Sequence, residues 1–258
     1  MNEDSVGSAL QFVKELQLPA LARGGYESLE STTRVDFDEL KDQATVVGSE
    51  VISFVKGVSV ERRQDIVNCA LLAQLAADHK VPDRANVFAW YDVYFDVLAH
   101  LGWVVQDKGF AAYDEQAEGL EAHEAILKVA AGLPGTSPTA LALLTSTIGA
   151  MKELEADNPW LTIFDRESCS AQSARFQVAL ASVEEDGQFL VTMMAFAIKA
   201  NASLTQVLFF KFRKDRVKIK QCSGKVTIND TVLNSVRETV RTKLIGRTHG
   251  YVDSLDLG

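Results

Sequence analysis

The spacing of apolar residues changes character near residue 160. Up to the Asn158-Pro159 pair, apolar positions recur at helical intervals, and this period predicts helices over roughly 6–17, 37–56, 60–80, 85–106, 113–131 and 138–156. Ser59 and Ser137 have the residue type and placement of N-caps, and Pro138 fits the first helical position after Ser137. Within 85–106, Val87, Phe88, Tyr91, Val93, Tyr94, Phe95, Val97, Leu98, Leu101 and Val104 cover most of the circumference, as expected of a helix wrapped by protein and placed at the centre of the fold.

Beyond Trp160 the period falls to two. Arg175–Leu180 leads through Glu185-Asp186-Gly187, a turn signal, into Phe189–Lys199, which reads as an antiparallel hairpin. A second pair, Gln206–Arg213 and Arg216–Cys222, is expected around Lys214-Asp215, with a short strand at Lys225–Ile228. In it, Phe210, Phe212, Val217 and Ile219 alternate with Lys211, Arg213, Lys218 and Lys220. A last helix is expected over Thr231–Ile245. The pattern as a whole reads as α/β (α+β): an antiparallel β-sheet meander in the C-terminal part covered by layers of α-helices. A chain of 258 residues of this kind is expected to form a single domain over 1–258, mainly helical over 1–157 and antiparallel sheet plus a closing helix over 158–258.

Charge sharpens the division. Residues 205–247 hold eleven basic and three acidic side chains, a net of +8, whereas residues 1–204 hold 15 basic and 30 acidic, a net of −15. An overall charge of −9 argues against a nucleic-acid binder. The segment Met1-Asn2-Glu3-Asp4 lacks the basic and apolar stretches of a secretory signal, and the longest nearly apolar run, Phe189–Ile198, is too short to span a bilayer as a helix. The chain is therefore expected to be made as a soluble cytoplasmic protein, released or delivered to a target membrane if it acts on one. Cys69, Cys169 and Cys222 are an odd number without metal-type spacing, which suggests reduced thiols.

Motifs of catalysis are weak. Asp92, Asp96 and His100 lie at i,i+4 spacing and could bind a metal or share a proton; the plainer reading is the edge of the helix that reaches water. His123-Glu124 starts like a zinc-protease helix, but Leu127 stands where the second histidine should be. Cys169, in a polar connector, could be a reactive or acylated thiol, or an ordinary half-buried one. No cofactor is expected. The strongest local signal is the basic hairpin: six cations lie between Lys211 and Lys220, with Asp215 opposing them. It could meet anionic lipid, or pair internally with Glu153, Glu155 or Glu184.

Four stretches resemble the bacterial Cyt-type cytolytic delta-endotoxins and virulence factors of the same fold. They are Asn158–Phe164, Phe176–Leu180, Phe196–Lys199 and above all Gln206-Val207-Leu208-Phe209-Phe210-Lys211-Phe212, whose order and spacing match that family's C-terminal strands over about residues 140–230. Residues 1–110 carry no such correspondence. The resemblance implies a single domain with helices flanking an antiparallel sheet, and conversion from a soluble to a membrane-bound or pore-forming state. Lipid membrane and self-association are the partners it implies. In that state Phe189–Ile198 and Val207–Phe212 would be membrane-facing strands, with Phe209, Phe210 and Phe212 in the apolar layer and Lys211, Arg213, Arg216, Lys218 and Lys220 at head groups. No enzymatic chemistry is expected. The alternative is a soluble, non-enzymatic binding protein with an apolar pocket or partner surface; a hydrolase using Cys169 or the Asp92/Asp96/His100 stripe is a more remote option.

Overall fold

The computed structural model describes residues 3–19, 36–105, 109–112, 121–133, 136–155, 157–170, 172–183, 187, 189–200, 207–209, 217–245, 247 and 251–255. Helix α1 (Glu3–Glu15) is followed by a hairpin of β1 (Gln43–Val47) and β2 (Glu50–Phe54), then by helices α2 (Val60–Lys80) and α3 (Val87–His100). Two short strands, β3 (Trp103–Val105) and β4 (Ala111–Ala112), precede helices α4 (Ala122–Gly132), α5 (Pro138–Glu153) and α6 (Pro159–Ser168). Then come β5 (Cys169–Ser170), the long strands β6 (Ser173–Val183) and β7 (Phe189–Ala200), a 3-10 turn (Val207–Phe209), β8 (Val217–Ile228), helix α7 (Asp230–Leu244) and β9 (Val252–Leu255).

The strands form one sheet in the order β3-β8-β7-β6-β2-β1-β9, with β4 beside β8 and β5 beside β6. Every pairing is antiparallel except β2 with β6, where Glu50 lies opposite Gln177 and Phe54 opposite Ala181. Helices cover both faces. One core joins α1, α2, α3 and α7 to Val47, Ile52, Phe54, Ala179, Ala181, Val191, Met193, Ala195 and Val226. The other joins α4, α5, α6 and the 3-10 turn to Val46, Val51, Phe176, Val178, Leu180, Met194, Phe196 and Ile198. Adjacent residues of a strand serve opposite cores, so β6 and β7 are buried along nearly their whole length, Arg175 and Gln177 included.

The helices at 60–80 and 138–153 start where the caps predict: the Ser59 hydroxyl accepts from the Arg62 amide at 3.4 Å and Ser137 from Ala140 at 3.1 Å. Five expectations are corrected. Residues 37–56 hold the β1–β2 hairpin, not a helix, because β-branched Thr45, Val46, Val47, Val51 and Ile52 flank a two-residue turn opened by Gly48 at φ +54°. The helix expected to run to 106 ends at His100, where Gly102 takes φ +90° and lies so close to the Asn229 carbonyl that a Cβ would meet it at 2.9 Å; β3 follows. Asn158-Pro159 opens a helix as well as closing one: the Asn158 side chain accepts from Trp160 N at 3.0 Å and proline occupies the first turn of α6. Finally, Val207–Phe209 is a 3-10 turn and not a strand, since Val207 N donates to Asp165 Oδ1 at 3.1 Å and so leaves any ladder; the two short strands expected over 216–228 are the single strand β8. Most of the turn at 184–188 and residues 210–216 lie outside the described residues.

Candidate functional site

The feature that stands apart is the β6–β7–β8 meander. Three successive strands of 11, 12 and 12 residues pair along nearly their whole length, from Val183↔Phe189 to Ser173↔Lys199 and from Val191↔Val226 to Ala200↔Val217. At about 3.3 Å per residue each strand reaches about 40 Å, beyond the roughly 30 Å hydrocarbon thickness of a bilayer. The register sorts the side chains. Toward α4 and α5 project Phe176, Val178, Leu180, Met194, Phe196, Ile198 and Ile219, with Phe176 stacked on Phe196 at 4.9 Å. Toward α2 and α3 project small residues, Ala179, Ala181, Ala195 and Ala197, together with Arg175 and Gln177. On that side Lys220 falls opposite Ala197, and Lys199 lies two residues beyond Ala197 on β7, so two exposed lysines share one end of the meander.

The two helical layers are held to the sheet by different chemistry. On the α2–α3 side, buried polar groups form a chain. Gln74 donates to the Val47 carbonyl at 2.8 Å and accepts from Ser49, whose hydroxyl lies 3.0 Å from Gln177 Oε1. The Tyr91 hydroxyl accepts from Gln177 Nε2 at 3.1 Å and shares its proton between the carbonyls of Phe176 and Phe196, at 3.0 and 2.8 Å, so one helix residue bridges β6 and β7. Asp78 accepts from Trp90 Nε1 at 2.7 Å and from Arg175, whose guanidinium lies 4.2 Å from the Trp90 ring centroid. Tyr94 donates to Glu50 Oε2 at 2.7 Å, while Glu50 Oε1 is buried with no hydrogen-bond partner among the described residues. Burial pushes the Glu50 carboxyl up to about 7, against the hydrogen bond from Tyr94, so it holds a proton through mildly acidic pH. On the other side, Leu143, Leu144, Ile148 and Met151 of α5 pack in the apolar core against β2 and β6, and the Thr147 hydroxyl lies 3.1 Å from that of Ser53.

The Glu50–Tyr94 and Tyr91–Gln177 groups are buried, and Asp78, 26% exposed, is occupied by Arg175 and Trp90, so both clusters tie elements together. Asp92 and Asp96 are exposed, and His100 stacks on Phe12 of α1 at 3.7 Å while its Nδ1 lies 2.8 Å from the Asp96 carbonyl. The stripe is thus the wet edge of α3 against α1. Among the described residues no group of three His, Cys, Asp or Glu is placed to hold a metal, and no helix is long and apolar enough to cross a membrane. Burial, with Asp165 adding to it, pushes the Cys169 thiol up to about 12, which makes it a poor nucleophile near neutrality.

The membrane-contact residues expected from sequence are dispersed. Phe209 sits beside His123 of α4, ring centroids 5.5 Å apart, under the helical layer. Phe210, Lys211, Phe212, Arg213 and Arg216 lie outside the described residues, as does the side chain of Lys218. Lys220 is exposed and lies over the ring of Phe88. Sequence reasoning missed Phe88 and Lys199, which share that end of the sheet. The signal was available in part, because Lys199 closes the longest apolar strand.

No family model matches the chain, and no curated protein matches it in sequence. Among solved structures it aligns with the activated Cyt2Ba monomer from Bacillus thuringiensis subsp. israelensis at 16% identity and a TM-score of 0.41, covering 70% of this chain and 98% of that one. A delta-endotoxin aligns at 13% identity and 0.39, covering 82% and 90%, and the Evf virulence factor at 11% and 0.34, covering 81% and 85%. With TM-scores of 0.34 to 0.41 and identities of 11 to 16%, these likenesses assign the chain neither to the Cyt-type family nor to its chemistry.

Proposed function

We propose that the chain is a membrane-active, non-enzymatic protein of the toxin or virulence class, stored as a soluble form and converted to a membrane-bound or pore-forming one. The observation that carries this reading is the β6–β7–β8 meander: three consecutive antiparallel strands long enough to cross a bilayer, of which β6 and β7 are buried under helices on both faces and present a continuous apolar face of Phe176, Val178, Leu180, Met194, Phe196 and Ile198, while β8 is more polar and partly exposed. Only closed or mutually paired strands can span lipid, so the proposed end state is one in which neighbouring copies continue the sheet. The asymmetry of the two layers supports an order of events. The α4–α5 layer, held by apolar contact and the Ser53–Thr147 pair, leaves first; α2 and α3 stay pinned through Gln74, Tyr91, Tyr94 and Asp78. Once α4 and α5 have left, Phe176, Phe196, Met194 and Ile198 face the lipid.

The test is dye release from liposomes of zwitterionic and of anionic composition by the purified protein, from mildly acidic to mildly alkaline pH. Release in at least one condition is expected; neither release nor co-sedimentation in any of them contradicts the reading. A second reading, a soluble binding protein, is favoured by a cleft of about 320 Å³ between α1, α2 and α3, floored by Phe12, Leu16, Ala76 and Val97 and edged by His79 and Asp96. Saturable uptake of a small amphiphile, blocked by Ala76→Trp in a protein that releases no dye, would favour it.

A further inference from the structure

Helix α3 begins at Val87, and its second residue, Phe88, is 44% exposed, unusual for a ring on a helix whose Tyr91, Tyr94 and Phe95 are buried. The ring is held in place. Phe110 meets it edge-on at 5.4 Å and in turn leans on Tyr91 at 4.9 Å, while the Lys220 ammonium lies 4.9 Å from the Phe88 centroid. Lys220 pairs across the sheet with Ala197 on one side and with Ala112 on the other, and Ala111 and Ala112 are themselves exposed. Two residues beyond Ala197, and on the same face of β7, Lys199 is exposed as well. The acid nearest in sequence to Phe88 is Asp92, one helical turn further along α3 and also exposed.

We infer that this end of the meander, with Phe88 as apolar anchor and Lys199 and Lys220 as cationic contacts, is the surface by which the protein docks on an anionic lipid bilayer. The inference rests on the membrane-active reading and adds to it a face and a headgroup charge. A chain of net −9 is repelled as a whole by an anionic surface, so attraction requires a local positive patch that sets the orientation. One aromatic ring flanked by lysines, whose stems lie along apolar surface while the ammonium reaches out, is the composition that settles at a lipid–water boundary. Docking here also sets the three long strands end-on to the bilayer, at the end where Ile198 and Ile219 lie just inside the lysines.

The experiment is flotation of the full chain with vesicles of phosphatidylcholine alone and of phosphatidylcholine with phosphatidylglycerol, at low and at physiological salt. Parent protein should float with the anionic vesicles and release on adding salt. Loss of each lysine should weaken partitioning roughly fivefold, so Lys199→Gln with Lys220→Gln together should cost roughly 25-fold. Phe88→Ser should weaken binding at both salt levels, and Lys225→Gln, on the opposite face of β8, should leave it unchanged. The lysines are exposed, so the double variant keeps its melting temperature and remains informative if Phe88→Ser does not fold. Anionic-vesicle binding equal in parent and double variant overturns this docking face while leaving the membrane reading intact, as does equal binding of the parent to both vesicle types. No binding to either type, with no dye release, removes the membrane reading itself. If the parent ignores vesicles but is retained on a polyglutamate matrix and the double variant is not, the patch belongs to an acidic protein partner and the inference falls.

Discussion

Replacing Glu50 by glutamine should abolish a pH dependence of stability that the wild type carries. The carboxyl is wholly buried between β2 and α3, and its affinity for a proton is raised from the usual 4.5 to about 7 by burial, with the Tyr94 hydrogen bond opposing the rise. Between these values the folded chain keeps a proton that the unfolded chain gives up. The stability this group contributes is therefore fully present below pH 4.5 and is lost as pH rises through about 7. An interval of about 2.5 pH units at about 1.4 kcal/mol each amounts to about 3 kcal/mol, undiminished by solvent screening because no part of the side chain is exposed. Glutamine keeps an acceptor for Tyr94 and cannot ionise. Urea unfolding of both proteins at intervals from pH 4 to pH 8 should show the variant gaining about 3 kcal/mol relative to wild type across that range. Asp78 and Asp165, also raised by burial, act alike in both proteins and cancel in the difference. Curves that stay parallel over the range would refute the reasoning.

Three other perturbations probe the ties between helices and sheet. Tyr91→Phe removes the hydroxyl that bridges the Phe176 and Phe196 carbonyls and satisfies Gln177, and should cost about 1–3 kcal/mol by urea unfolding. Arg175→Met takes the guanidinium away from half-buried Asp78 and should cost about 1–3 kcal/mol at neutral pH, with part of the loss recovered in acid, where Asp78 is protonated. With its thiol pushed up to about 12 from the usual 9, Cys169 should react with iodoacetamide at pH 7 about thirtyfold more slowly than an exposed thiol, the loss of thiolate being partly offset by its higher nucleophilicity. Rapid labelling at Cys169, located by mass spectrometry, would contradict the burial argument.

The parts of the fold legible in sequence were those whose pattern and punctuation agree. α2 and α5 carry both the helical period and a serine cap, and β6 and β7 carry a turn signal between two apolar runs. The β1–β2 hairpin was hidden because both its faces are buried: Val46 and Val51 serve one core and Val47 and Ile52 the other, so no alternation betrays a strand. The parallel pairing of β2 with β6 joins residues more than a hundred positions apart and leaves no local mark. The candidate site was legible in the same uneven way. Of its long strands β7 could be read directly, β6 only in its middle and β8 as two separate pieces, whereas Glu50 is an unmarked glutamate until Tyr94 and the sheet close over it. Phe88 reads as one more apolar position of a wrapped helix until Lys220, brought from 132 residues away, covers its ring.

In the proposed conversion helices must leave the sheet before its strands meet lipid, and a reversible lock between α5 and β2 tests that step. The Ser53 and Thr147 hydroxyls, 3.1 Å apart, place two sulfurs within bonding reach when both residues become cysteine. In a Cys169→Ser background this avoids the one half-buried native thiol. Dye release from liposomes should be abolished in the oxidised Ser53→Cys/Thr147→Cys protein and restored on reduction to the level of the Cys169→Ser parent. Equal release by the oxidised and the reduced protein, with the disulfide verified by mass, would contradict the account.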